Sequence, residues 1–287
     1  MRYNKGYVLV IVLLILAVTT AAVIDFAGTV YGYVNTANNF NESERMSLLL
    51  KSVYLLTAEK ALILSSQLGP SAQREFSLEE KIEDTTVGLL LEDNNSKFSV
   101  NKLVYGIGTV NDSNCKIFKR LLKELKINEE YADRLVDYID FDKIPTVPGG
   151  EDNAKNYYLF SLSELSYIFP DDVRNTVMPY LTVFGDGKIN INAVDLPLLK
   201  ALHPEMSESQ AKRIIEVREG KPFGTIGEVI PVLGDMVTEL SDVIIVKSTS
   251  FNVVIKAERN DLVETAEAGF VLPSSGGQPA LKYWRER

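Results

Sequence analysis

Apolar positions run without a break from Tyr7 to Ile24, eighteen residues with no charge and only two aliphatic hydroxyls, Thr19 and Thr20. That length reaches the lower bound for a helix crossing a bilayer. Apolar residues then recur at helical spacing beyond Asp25, at Phe40, Met46, Leu50, Val53, Leu56 and Leu64. One long helix is predicted to about Gln67, stopped by Gly69-Pro70. Farther on, Glu92 to Ser96 reads as a polar turn, and the alternating, β-branched run Lys97–Val104 predicts a strand. Between Asn111 and Ser241 the period turns helical. CKIFKRLLKELKI and EEYADRLVDYID are amphipathic, and Ser161 with Glu164 forms a capping-box pattern. Three short helices are expected over 193–202, 207–219 and 225–233. From Ser248 the pattern alternates again, and a turn near Asn260-Asp261 predicts a β-hairpin. The tail from Ser274 reads as an exposed, loose end.

The strand-like segments flank the helical block. One α/β domain interrupted by a helical insertion is therefore expected. Gly106-Ile107-Gly108 follows a predicted strand, but the third glycine position of a dinucleotide loop is Asn111, and no acidic residue is placed to hold a ribose. It is assigned to a loop.

Composition narrows the chemistry. The net charge is -9, which argues against neutralising phosphates and favours divalent cations or basic partner surfaces. Cys115 is the only cysteine and His203 the only histidine. No intrachain disulfide can form, and multi-cysteine zinc sites are excluded. Cys115 shares a helix face with Phe118 and Leu122 and reads as core. His203, beside Pro204, reads as a turn residue.

The N-terminal run is long for a signal peptide core, and Ala21-Ala22 is followed by no turn. One reading is a plain signal anchor. The other uses Lys5-Gly6: a polar leader ending in Lys-Gly before an apolar helix resembles the class III leader of type IV pilins and pseudopilins. That resemblance implies cleavage by a prepilin peptidase between Gly6 and Tyr7, with the helix retained. Mature position five is then Ile11, where most pilins carry a glutamate.

Five carboxylates and two glycines lie in the stretch DYIDFDKIPTVPGGED, residues 137–152. Hard cations prefer several oxygens from carboxylates and loop carbonyls. The spacing is not that of an EF-hand. A solvated acidic loop, a cation site and an acid/base carboxylate pair all remain open at this level. The segment Gly187 to Val229 resembles a helix-hairpin-helix unit, with Asn190 and Asn192 before the first helix and Asp195-Leu196-Pro197 starting it. Its turn is His203-Pro204-Glu205-Met206, with no glycine and with a carboxylate where a phosphate would sit. DNA binding is disfavoured on those grounds.

The acidic stretch resembles protein K of the type II secretion system, a family with a D-W-I-D-x-D segment, Pro/Gly, Gly-Ala-Glu-Asp and then a serine-leucine helix. The matching residues are Asp137, Ile139, Asp140, Asp142, Gly150, Glu151, Asp152 and Ser161 to Leu165; Tyr138 stands for the tryptophan. The loop Asn153–Phe160 is shorter than the family's. The leader, Ile11, KFSVNKL and the divergent hairpin also fit.

The resemblance implies an α+β fold. A long N-terminal transmembrane helix precedes a pilin-like α/β domain with a large all-helical insertion, of the SAM or helix-hairpin-helix kind. The implied divisions are a leader at 1–6, membrane helix 7–27, periplasmic helix 28–68, first α/β part 69–110, helical insertion 111–245 and final strands 246–287. It further implies Ca²⁺ near Asp140, Asp142, Glu151 and Asp152. The implied role is non-enzymatic, a single-pass inner-membrane pseudopilin with its body in the periplasm. It would cap the pseudopilus tip and support export of folded proteins. Its partners would be minor pseudopilins I and J, the major pseudopilin, the prepilin peptidase and inner-membrane lipid, with no nucleic acid. A membrane-anchored helix-hairpin-helix protein for DNA uptake is the alternative.

Overall fold

A computed structural model describes residues 5–67, 75–260, 262–273 and 277–286. The chain forms two compact units, 1–51 and 52–287. The first is the leading part of helix α1 (Lys5–Gln67). It presents Tyr7 to Leu16 to the surroundings, and α1 is long and apolar enough to cross a membrane. Its predicted stop, Gly69-Pro70, lies outside the described residues, as does most of the leader.

The second unit is built on an antiparallel five-stranded sheet. Hairpin β1 (Glu75–Ile82) and β2 (Thr85–Asp93) opens it, in a stretch where the apolar pattern assigns no element. Strands β3 (Phe98–Ser99), β4 (Leu181–Thr182), β5 (Ile189–Asn190) and β6 (Ile244–Ile245) form two small parallel pairs within the helical part. The main sheet resumes with β7 (Ser250–Arg259), β8 (Leu262–Val271) and β9 (Ala280–Glu286). Strand order is β1-β2-β7-β8-β9. Alternation sends Val87, Leu89 and Leu91 with Phe251, Val253 and Ile255 into the buried face. Tyr54 of α1 packs there edge-on against Phe270 and Trp284, with centroids 6.0 and 5.5 Å away.

Between β2 and β7 lies the helical insertion. It contains α2 (Asp112–Glu124), α3 (Glu130–Ile139), α4 (Asp171–Val177), α5 (Leu196–Ala201), α6 (Glu208–Gly220), α7 (Ile230–Leu233) and α8 (Met236–Leu240). Asn111 caps α2 by accepting from the Asn114 N–H, and Phe118, Leu121 and Leu122 of α2 are fully buried. Arg120 reaches the open carbonyls ending α5, donating to Ala201 O at 2.6 Å and Leu202 O at 2.9 Å.

Two expectations are corrected. Lys97–Val104 is not one strand. Only Phe98–Ser99 is extended, and Val100–Leu103 forms a 3₁₀ turn. Val100 and Leu103 are both 0% exposed, three positions apart, which is the 3₁₀ period. The tail is not loose either: β9 is an edge strand of the sheet. Its Tyr283 ring lies over Gly269, where a Cβ would come within 2.2 Å of the ring, and stacks on Phe184 at 3.9 Å.

Within the polar turn, Asn94, Asn95 and Ser96 are buried. Asn95 Oδ1 accepts the N–H groups of Thr249 and Ser250 at 2.9 and 2.8 Å, and its amide donates to Asp186 and to Lys188 O. Ser248 donates to Asp93 Oδ2 at 2.5 Å. The chain's exit from the sheet and its return are thus tied side by side.

Candidate metal centre

Helix α3 delivers two carboxylates to one place. Asp137 and Asp140 are three positions apart, so they share a face. Asp140 is the C-cap, where the backbone turns extended while its N–H still bonds Val136 O at 2.9 Å. The loop that follows folds back over this helix end. Asp137 Oδ1 and Oδ2 accept the N–H groups of Thr146 (2.8 Å) and Val147 (3.1 Å). Gly150 then passes directly against Asp137. The chain returns so that Tyr138 O accepts from both Lys155 and Asn156 N–H at 3.0 Å.

This folding places Glu151 with the helix-borne pair. Oxygens of Asp137, Asp140 and Glu151 all lie within 4.8 Å of one another. Asp137 is 0% exposed and Asp140 2%. Among the described residues, Asp140 Oδ1 and Glu151 Oε1 are buried with no hydrogen-bond partner. With its amide oriented so that the nitrogen faces these acceptors, Asn156 donates to Glu151 Oε2 at 3.3 Å and to Asp142 O at 3.2 Å. Burial raises the Asp140 carboxyl to about 7, helped by the charges of Asp142, Glu151 and Asp137. Burial also raises Glu151, with Asp137 and Asp142 adding to it.

Three converging carboxylates with two unpartnered buried oxygens are costly unless a proton or cation sits among them. The donors at the cluster are all hard carboxylate oxygens. That set suits Ca²⁺, which tolerates irregular oxygen shells, better than a metal wanting nitrogen or sulfur.

Of the residues expected from sequence, Asp140 and Glu151 meet. Asp142 and Asp152 are exposed and outside the cluster. Asp142 Oδ1 caps its own loop through Ile144 N–H at 2.7 Å and acts on Asp140 through charge. Asp137 is the member that the expected ligand set lacks. Its i, i+3 relation to Asp140 was the available signal.

Other readings resolve structurally. Gly106–Gly108 is a turn, with Gly108 at φ +82°. Asn192 is a buried clip, its amide donating to Phe223 O and Val246 O. His203 is buried and meets Glu239 at 3.1 Å. Cys115 is buried in the α2 core. Ile11, in α1, is 40% exposed.

Two family models match the chain, both described as "Type II secretion system (T2SS), protein K". One covers residues 96–186 and the other 189–240. No curated protein sequence matches. The fold is similar to a crystal structure of the GspK-GspI-GspJ complex from the enterotoxigenic Escherichia coli type 2 secretion system. The TM-score is 0.60 at 16% identity, covering 86% of this chain and 99% of that one.

Proposed function

Through residues 96–186 and 189–240 this chain belongs to the protein K family of the type II secretion system, and we propose that it caps the tip of the periplasmic pseudopilus as a minor pseudopilin supporting export of folded proteins. The observation that carries this reading is the helical insertion between Asp93 and Ser250, set on the sheet that also packs α1. A subunit with that bulk beside its sheet is poorly suited to sit beneath another copy, which favours an end position.

Helix α1 supplies the membrane anchor. On this reading a prepilin peptidase cuts between Gly6 and Tyr7, and the helix stays in the inner membrane until assembly with the major pseudopilin. Ile11 at mature position five offers no carboxylate to a neighbour's terminal amine. A terminal subunit has no neighbour above to need one. Minor pseudopilins I and J are the proposed partners, since the similar structure is of a complex containing both.

Asp137, Asp140 and Glu151 would hold one Ca²⁺, and Asp142 and Asp152 add negative charge at its rim. The ion supplies the positive charge that lets the three carboxylates stay ionised. Asp137 holds the loop by its two backbone bonds, and Asn156 positions Glu151.

The test is placement. The chain, tagged and expressed with pseudopilins I and J and the major pseudopilin, should co-purify with I and J and label filament ends only. Uniform labelling along filaments would overturn the tip assignment.

A further inference from the structure

A cavity of about 570 Å³ opens where the helical insertion meets the sheet. Its walls are aromatic, from Tyr157, Tyr158, Phe160 and Phe184. The aromatic surface continues outward: Phe141 stacks on Tyr157 with centroids 5.7 Å apart and rings 5° from parallel. Tyr157 and Phe160 are 48% and 53% exposed. Exposed rings gathered in this way mark a contact surface more than a solvent face.

Two cationic groups and one carboxylate line it. Lys102 and Lys282 both line the cavity and are exposed, and among the described residues neither ammonium group forms a hydrogen bond or ion pair. Asp186 is the lining carboxylate, and it is already committed to Asn95, the Lys188 N–H and Thr249. Two unpaired ammonium groups beside an apolar recess stand out in a chain of net charge -9.

We propose that this cavity docks an extended acidic segment of another protein chain. One aromatic or aliphatic side chain fills the recess beside Phe160 and Phe184, and flanking carboxylates meet Lys102 and Lys282. The recess supplies burial, and the lysines supply orientation and charge selection. Gly106 lines the cavity and a Cβ there meets nothing within 4 Å, so a large side chain is accommodated at its edge without displacing a neighbour.

The full chain in detergent micelles, titrated against fluorescein-labelled, acetylated and amidated Glu-Phe-Glu peptide, should give saturable anisotropy. The double variant Lys102→Glu, Lys282→Glu should weaken it by about tenfold or more and should prefer a Lys-Phe-Lys peptide. Gly106→Trp should block both peptides while the melting temperature stays unchanged. The proposal is overturned by no saturable binding, by equal binding of both peptides to the native chain, or by native affinity in the double variant. Self-association abolished by these same variants would assign the cavity to a second copy and overturn it equally.

Discussion

Gly150 and Asp137 are in such close register that no side chain fits between them: a Cβ on Gly150 would lie 1.7 Å from Asp137 Oδ2. The helix end and the loop are therefore locked by a glycine rather than by a hydrogen bond alone. Gly150→Ala must push the loop off the carboxylate, or twist Asp137 out of its bonds to Thr146 and Val147. A loss of about 1–3 kcal/mol in stability is expected by denaturant titration, together with loss of any Ca²⁺ response. An unchanged midpoint would show that the loop is slack.

Calcium should stabilise the intact chain, relative to the chain in chelator, by about 2.7 kcal/mol at a hundredfold excess over Kd, read as a higher melting temperature. Asp140→Asn should cross this behaviour. Without metal it relieves a buried carboxylate and is neutral or stabilising, and with Ca²⁺ it forfeits the gain. Asp142→Asn should weaken the response only modestly. Equal effects of the two would place the ion elsewhere.

Asp93 gives a pH signature outside the carboxylate cluster. Burial raises its carboxyl to about 6, against the hydrogen bonds from Ser248, Asn95, Ser96 and Asn190. The folded state then holds a proton that the unfolded chain has released. Its contribution is fully present below the ordinary carboxylate pKa and is lost as pH rises through about 6, on the order of 3 kcal/mol in all. Asp93→Asn should flatten this part of the stability curve between pH 4 and 6. A slope identical to the native chain's would rule Asp93 out.

Asn95→Ala leaves the N–H groups of Thr249 and Ser250 buried without acceptors. The expected cost is about 2–4 kcal/mol from two unsatisfied donors. Hydrogen exchange should speed at those two amides before it does in the centre of β7. Global exchange with no local change would contradict the clip.

Ile11→Glu should disturb assembly or tip placement, because a carboxylate at that depth needs a cationic partner. Wild-type secretion with normal tip stoichiometry would count against the terminal position.

The amphipathic helices were legible because their apolar spacing is also their burial. Phe118, Leu121 and Leu122 show it in α2. The final hairpin was legible from alternation. β9 was not, because its adjacent Tyr283 and Trp284 pack on opposite faces of the strand, so no alternating apolar signal appears. The polar turn at Asn94–Ser96 was legible but its burial was not, since sequence does not show that Thr249 and Ser250 would supply its partners. At the carboxylate cluster, the acidic richness was visible and the set of carboxylates that converge was not. Which carboxylates converge depends on the loop's path over Asp137, and that path is set by Gly150.

The side-chain clip that joins Asn95 to Ser250 spans 155 positions of chain. Closing a loop of that length in an unfolded chain costs about 4–5 kcal/mol of entropy. If the helical insertion folds first, it brings Asp93 and Ser250 together before they pair, and much of that cost is met locally. On that order of events the central β2–β7 pairing comes late in folding, after α2 to α8 have assembled.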